Sequence, residues 1–415
     1  MPLAELTEWL SEFGGPSFIW CVKRLSGNDT LANGSHQAGP YLPKEFVFPI
    51  FPEIDRTDIK NPDRWIDISV QPCPDSRKVR LVYYNSKRHE NKRNGRNETR
   101  LTNFGGSNSS LLDPESTGAL TIFAFHLDES GRAFEAHIWV CQHETEEETV
   151  EDRIGPVEPS KWIVWSPDQP QKSLFQPSLA RRSSCWLELN EIPHAWLSTF
   201  PTGAEVVEKA VTLRSDSHLT PDQRLVKRRE CEFEIFRSIE QALELPLIKE
   251  GFGSLDDFIL RAQTVLQRRK ARSGNSLELH ARAIFIEEQL QEGNHFAHGR
   301  QSEPGKRPDF LFPSQSAYRD PTYPADKLRM LAAKTTCRDR WRQILREADR
   351  IDTKHLLTLQ EGISEAQFKE MVDAKVQLVV PAPLIEKFPK SVRPYLQTFE
   401  SFIADVRLLA LERHG

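Results

Sequence analysis

The strings KRPDFLFP (Lys306–Pro313) and LRMLAAKTTCRDRWRQILREAD (Leu328–Asp349) decide how this chain is read. In the first, Asp309 is followed by Phe310, Leu311 and Phe312, an apolar run of strand length. In the second, Leu328–Ala333 is another such run, and Lys334 ends it. The stretch Asp339–Arg350 then sets Trp341, Ile344, Leu345 and Ala348 along one face of an expected helix. Arg340 and Glu347, two turns apart on that helix, would project to nearly the same side. A carboxylate and an ammonium at the ends of two apolar strands are costly to bury unpaired. Two readings meet that cost. One is a salt bridge joining the strands. In the other, Asp309 and Glu347 hold a hard cation through oxygen, and Lys334 stabilises the charge that develops during phosphodiester hydrolysis.

A carboxylate after proline and a lysine on the next strand resemble the PD-(D/E)xK nucleases. The pattern departs from that family at Ala332, two residues before Lys334, where an acid is usual. Glu347 is then the displaced carboxylate. The resemblance narrows with longer strings: SLELHARAIFIEE, KRPDFLFPSQSAYRD and LTLQEGISEAQF in the second half, and KRLSGNDTLANGSHQAGPYLP, VYYNSK and DPESTGALTIFAF in the first. Together they resemble the EcoRII family of restriction endonucleases nearly from end to end. That likeness implies Mg2+-dependent cleavage of double-stranded DNA at CCWGG, W being A or T. It implies a core site of Asp309, Lys334 and Glu347 supported by Glu278 and Tyr318, with Asp309 and Glu347 as metal ligands. From the residues alone, Glu278 is a first-turn carboxylate of a helix 278–291.

Charge does not announce a nucleic-acid binder in bulk: 55 Lys and Arg against 60 Asp and Glu give a net charge of −5 over 415 residues. It does so locally. KRHENKRNGRNETR (87–100) and RRKAR (268–272) are basic, and ETEEETVED (144–152) offsets them. The first segment follows an expected strand and precedes a Gly-Gly turn, which favours phosphate contact over a merely solvated loop. The six cysteines show neither C-x-x-C nor zinc spacing. Cys21, Cys141 and Cys337 lie beside strand or helix signals and read as buried thiols of a reducing cytosol. The first residues carry acids and no long apolar run, so neither a signal peptide nor a membrane span is expected, and a cytoplasmic location follows.

Along the chain, a short amphipathic helix (3–13) precedes six expected strands, at 18–23, 65–70, 79–84, 119–126, 136–141 and 161–165. That is an all-β, barrel-like domain. SPDQPQKSLFQPSLARRSS (166–184) is proline-rich, polar and aperiodic, as linkers are. Helices are then expected at 203–213, 220–243, 254–270, 278–291, 339–350, 364–373 and 395–412, with strands at 309–312, 328–333, 355–359 and 376–380, the pattern of an α/β domain. The expected organisation is a DNA-binding domain over 1–168, a linker over 169–185 and an endonuclease domain over 186–415.

By resemblance, the first domain is similar to the DNA-binding pseudobarrel of plant auxin-response factors and serves as an effector domain. Its DNA-facing positions would be Lys23, His36 and Tyr41 in one arm, and Arg88, Lys92, Arg96, Glu98 and Arg100 in the other. Glu98 suits a cytosine amino group and the basic residues suit guanine edges or phosphates. The sequence departs from that module at Asn103-Phe104, where a basic-aromatic pair is usual. His36 and Tyr41 have plainer readings as a turn histidine and a strand tyrosine.

Arg338, Asp339 and Arg340 read either as a surface ion network or, by resemblance, as a triplet for C·G pairs in the major groove. The same likeness implies a homodimer cutting both strands and a cognate cytosine methyltransferase acting on the same site. It also implies an N-terminal domain that masks the nuclease until it binds a second recognition site. The alternatives are a non-catalytic DNA-binding protein on a nuclease scaffold and a repair nickase.

Overall fold

The computed structural model describes residues 2–34, 39–91, 93–166, 185–215 and 218–411. They form two compact units, one holding the residues up to Ser166 with 361–365 and 387–389, the other holding the rest. Most of the expected linker, 167–184, lies outside the described residues. No helix among those described is long and apolar enough to cross a membrane.

The first unit is an eight-stranded sheet. Its strands are β1 (Phe18–Arg24), β2 (Tyr41–Leu42), β3 (Asp63–Gln71), β4 (Asp75–Tyr84), β5 (Glu98–Thr102), β6 (Leu120–Leu127), β7 (Ala133–Val140) and β8 (Trp162–Trp165). The order is β2-β5-β4-β3-β7-β6-β1-β8, and only β3 with β7 runs parallel. Both faces of the middle strands are covered, because alternate residues enter different cores. Cys21, Phe123 and Phe125 pack with Val79, Leu81 and Leu101. Trp20, Val22 and Ile122 pack beneath Leu6, Trp9 and Leu10 of helix Pro2–Glu12.

Two features differ from expectation here. β2 and β5 were not expected, since both are short and β5 carries Glu98 and Arg100. The acidic run, read only as an offset to the basic segments, forms helix Glu144–Ile154. Its start is secured by Glu146, whose Oε2 accepts from His143 N at 3.0 Å. Glu147 and Glu151 point inward, accepting from Arg24 at 2.6 and 2.9 Å. Arg24 is buried, and although burial works against its charge, the two carboxylates hold its pKa above the ordinary value.

The second unit has a five-stranded sheet, β9 (Ala297–His298), β10 (Phe310–Phe312), β11 (Arg329–Ala333), β12 (Lys354–Leu357) and β13 (Val376–Val379), in the order β13-β12-β11-β10-β9. β11, β12 and β13 are parallel, and β10 is antiparallel to both its neighbours. Leu277, Ala281, Ile284 and Phe285 of helix Leu255–Glu287 pack on one face, with Phe399, Phe402, Ile403 and Val406 of helix Phe399–Leu411.

Helix Leu255–Glu287 replaces the two helices expected at 254–270 and 278–291, so Glu278 is an interior residue and not a first-turn carboxylate. Gly274, in the expected break, costs the helix about 1 kcal/mol. Ion pairs with helix Pro221–Glu250 offset that cost. Arg272 reaches Glu232 at 3.1 Å, Arg269 reaches Glu240 at 2.6 Å, and Arg261 and Arg268 hold Glu244 at 2.6 and 3.0 Å. Glu232, buried among Arg272, Arg229 and His280, is held far below the ordinary glutamate pKa despite its desolvation.

Cys185 and Cys231 are joined by a disulfide, a pairing that their spacing did not suggest. Cys21, Cys141 and Cys337 are free and buried, as expected.

Candidate active site

The strand ends place Asp309 and Lys334 together. Phe310 pairs with Leu331 across β10 and β11, which brings the residue before Phe310 level with the end of β11. Asp309 Oδ2 accepts from Ala333 N at 2.7 Å and from Lys334 Nζ at 3.2 Å. Lys334 N is itself tied to Leu357 O of β12 at 2.9 Å, so the lysine leaves the sheet from a fixed backbone. Burial raises the Asp309 pKa, the Lys334 ammonium opposes this, and Glu278 adds to it.

Glu347 arrives by a different route from the one its spacing suggested. Residues Asp339–Arg346 form a 3-10 helix, and Glu347 is the extended residue that ends it. The tighter winding removes the seven-residue match with Arg340. Glu347 nevertheless stands within electrostatic reach of Asp309, Lys334 and Lys354. Burial first, and then the charge of Asp309, push its carboxyl up to about 7. Its Oε2 is buried with no hydrogen-bond partner among the described residues.

Two carboxylates side by side, one with an orphaned oxygen, are short of a positive charge. That is the condition a hard, oxygen-liganded cation satisfies. No group of three or more His, Cys, Asp or Glu suited to a metal occurs among the described residues. A cation held by Asp309 and Glu347 would complete its shell with water or substrate oxygens, as Mg2+ commonly does.

Glu278 reaches the site through His298, whose Nε2 lies 2.5 Å from Glu278 Oε1. His298 sits on β9 opposite Phe310, with the two rings stacked at 5.2 Å. Tyr318 is placed elsewhere. Its buried hydroxyl donates to Glu303 and accepts from Arg350 N at 3.2 Å, and burial and Glu303 push its pKa up. Tyr318 therefore fastens the turn after Glu347.

Arg338 caps the 3-10 helix that Asp339 and Arg340 begin, and the short segment 334–337 joins it to the end of β11. Gln360 Oε1 accepts from Cys337 N at 3.0 Å and from Arg338 N at 3.4 Å, which holds the triplet's backbone. Asp339 accepts from Arg342 at 3.1 Å.

In the first unit, Lys23, Tyr41 and Arg100 converge on one buried acid. Asp29 accepts from Lys23 Nζ at 2.8 Å and from Tyr41 N at 2.8 Å, and Arg100 Nη1 lies 3.9 Å away. Lys23 is only 8% exposed, so its ammonium is committed to Asp29 and to Tyr41 O. Burial, Glu45 and Glu98 push the Tyr41 hydroxyl up to about 12. Glu98 accepts from Arg100 Nε at 3.1 Å. Arg96 lies over the Tyr84 ring at 5.2 Å, and Arg88 is exposed on the short helix Ser86–His89. His36 and Lys92 lie outside the described residues.

His298, Glu303, Gln360 and Lys354 surround these residues and were not singled out in the sequence. Only Lys354 carries a signal there, as a charge opening an apolar strand.

Comparisons with known proteins show the family of the chain. A family model for the EcoRII C terminal matches residues 236–403, and one for the N-terminal part of the restriction endonuclease EcoRII matches 14–169. The chain is 43% identical over 410 residues to the type II restriction enzyme EcoRII of Escherichia coli, covering 98% of each protein. It belongs to the EcoRII family of type II restriction endonucleases. Among solved structures, metal-depleted Ecl18kI in complex with uncleaved, modified DNA aligns at 19% identity and a TM-score of 0.42, over 52% of this chain and 82% of that one. The B3 domain of the UbaLAI restriction endonuclease with cognate DNA aligns at 17% identity and a TM-score of 0.25, over 39% and 98%.

Proposed function

We propose that this restriction endonuclease cuts both strands of double-stranded DNA at or beside CCWGG with Mg2+, using Asp309, Lys334 and Glu347. The observation that carries this reading is the Lys334–Asp309 contact beside the unsatisfied Glu347 carboxyl. Asp309 and Glu347 would hold the cation, which when bound polarises the scissile phosphate and lowers the pKa of a water. Lys334 shares Asp309 in the ground state and turns to the additional phosphoryl charge as the bond to the leaving oxygen breaks. Glu278, fixed by His298, adds negative charge behind Asp309. Tyr318 holds the turn that presents Glu347.

Recognition is assigned to Arg338, Asp339 and Arg340, with the arginines on guanine O6 and N7 and the aspartate on cytosine N4. The short segment 335–337 joins them to Lys334 and so ties base contact to the lysine. The effector surface is assigned to Arg88, Lys92, Arg96 and Glu98, with His36. Lys23, Tyr41 and Arg100 shape it through Asp29. The domain limits proposed are 1–168 and 186–415, with 169–185 between them. A homodimer places one site on each strand of a pseudo-palindrome, and a cognate cytosine methyltransferase would act on the same sequence.

The test is a digest of sequenced DNA with Mg2+, followed by mapping of the ends. Paired breaks at CCWGG support the reading. Single-strand nicks, or binding without cleavage, refute it.

A further inference from the structure

The face of the sheet that carries Lys334 carries a second lysine. Leu331 and Ala333 belong to the helix-covered core, so alternation puts Met330, Ala332 and Lys334 on the opposite face. β12 lies level with β11, Leu331 opposite His355 and Ala333 opposite Leu357. Leu357 shares the helix-covered core. Lys354 and Leu356 therefore face the same way as Lys334. Lys354 is 5% exposed, and its Nζ donates to Ala348 O at 2.7 Å and to Ile351 O.

Those carbonyls belong to the turn that leaves Glu347. Ala348 there has a φ of +49°, a left-handed conformation that a residue with a Cβ avoids. Such a turn persists only where its surroundings hold it. Glu303 accepts from Asp349 N at 3.1 Å and Tyr318 Oη accepts from Arg350 N at 3.2 Å, which secures the N–H groups. Lys354 binds two of the carbonyls, sharing Ala348 O with Ile351 N at 2.9 Å and reaching Ile351 O itself. A buried ammonium without acceptors is costly, so lysine and turn stabilise each other.

We propose that Lys354 is a positioning residue for cleavage: by gripping the carbonyls of Ala348 and Ile351, it sets the turn that brings Glu347 to Asp309. It touches neither DNA nor the reacting atoms. Glu347, set by this turn, stands in for the acid missing at Ala332. This rests on the assignment of Glu347 above.

The test uses the full chain, with Lys354→Met and Lys354→Arg beside Lys334→Ala. Two quantities are read: the Ca2+ concentration that half-saturates specific DNA binding, and kcat and KM with Mg2+. Lys354→Met should raise the Ca2+ requirement and lower kcat by about 10–100-fold with KM little changed, the usual effect of losing an outer-shell partner. Lys354→Arg, which keeps donors for the carbonyls, should restore most of both. In a Glu347→Gln background Lys354→Met should add no further loss, because both act through one carboxylate.

Unchanged Ca2+ dependence and kcat in Lys354→Met overturn the proposal, as do additive losses in the double variant. If Lys354→Met does not fold, Lys354→Gln, which keeps a donor for one carbonyl, is measured instead. It should show a partial loss, and wild-type values overturn the proposal. Retained cleavage by Lys334→Ala would refute the underlying active-site assignment instead, which separates the two failures.

Discussion

Lys334 and the backbone N–H of Ala333 converge on the same oxygen of Asp309, at 3.2 and 2.7 Å. The lysine is thus bound by charge while the carboxylate is also held by the sheet, so removing the lysine leaves Asp309 in place. Lys334→Ala should bind target DNA in Ca2+ nearly as well as the parent, while cleavage in Mg2+ falls by several orders of magnitude, because the ammonium acts on transition-state charge. Gel-shift and plasmid-cleavage measurements on one preparation check this. A parallel loss of binding would make the residue structural.

Titration of Glu347 sets a pH dependence. Its folded pKa of about 7 lies above the ordinary 4.5, so the metal-free folded protein prefers the protonated acid. Stability from this group is complete below about 4.5 and is lost as pH rises through about 7. The raised pKa of Asp309 acts in the same direction. Melting in EDTA should therefore show wild type losing ground to Glu347→Gln between pH 5.5 and pH 8. A constant difference across that range would contradict the burial described. Cleavage at limiting Mg2+ should rise over the same interval, as the carboxylate becomes available.

Readout should divide between the units. Arg340→Ala should cost about 1–3 kcal/mol per lost bidentate base contact at the nuclease, seen as weaker discrimination between CCWGG and scrambled duplexes. Arg96→Ala should leave cleavage chemistry unchanged and weaken binding by the N-terminal domain. Equal effects of both variants on both quantities would remove the division of labour.

Regulation can be read from substrate dependence. If the first domain masks the nuclease, the full chain should cut a one-site plasmid poorly and a multi-site plasmid well. A fragment from about residue 186 should cut both. Equal rates on one-site DNA for chain and fragment would leave the domain as an anchor.

Arg24→Met tests the first unit. It strands Glu147 and Glu151 without their cation and should destabilise that unit by about 3–5 kcal/mol, measured by denaturant unfolding followed through tryptophan emission. A change within about 0.5 kcal/mol, as for an exposed pair, would show that water reaches the carboxylates.

The longer sheet strands were legible as apolar runs closed by turn residues, whereas the short β2, β5 and β9 were not, and Asp309 and Lys334 were legible because they flank two of those runs. Glu347 was found for a reason that does not hold. Helical spacing pointed to it, whereas the 3-10 winding and the Ala348 turn deliver it. Glu278 was visible only by resemblance, since ARSGNSL (271–277) looks like a helix break. The pairs of Arg269 and Arg272 that carry the helix through it are long-range. The inward turn of Glu147 and Glu151 was hidden for the same reason: Arg24, their partner, lies far away in sequence. Local pattern reports burial and period, but not which distant charge a carboxylate will meet.

The rungs between the two long helices have a mechanical consequence. Apolar side chains at such a seam can settle into a neighbouring groove if one helix creeps along the other. Guanidinium-carboxylate pairs cannot: Glu232, Glu240 and Glu244 each meet particular arginines, and a slip of one turn would break all three at once. The hairpin is therefore notched like a ratchet with a single setting. Because Glu278 rides on the second of those helices, its distance from Asp309 is gauged from the far end of the hairpin.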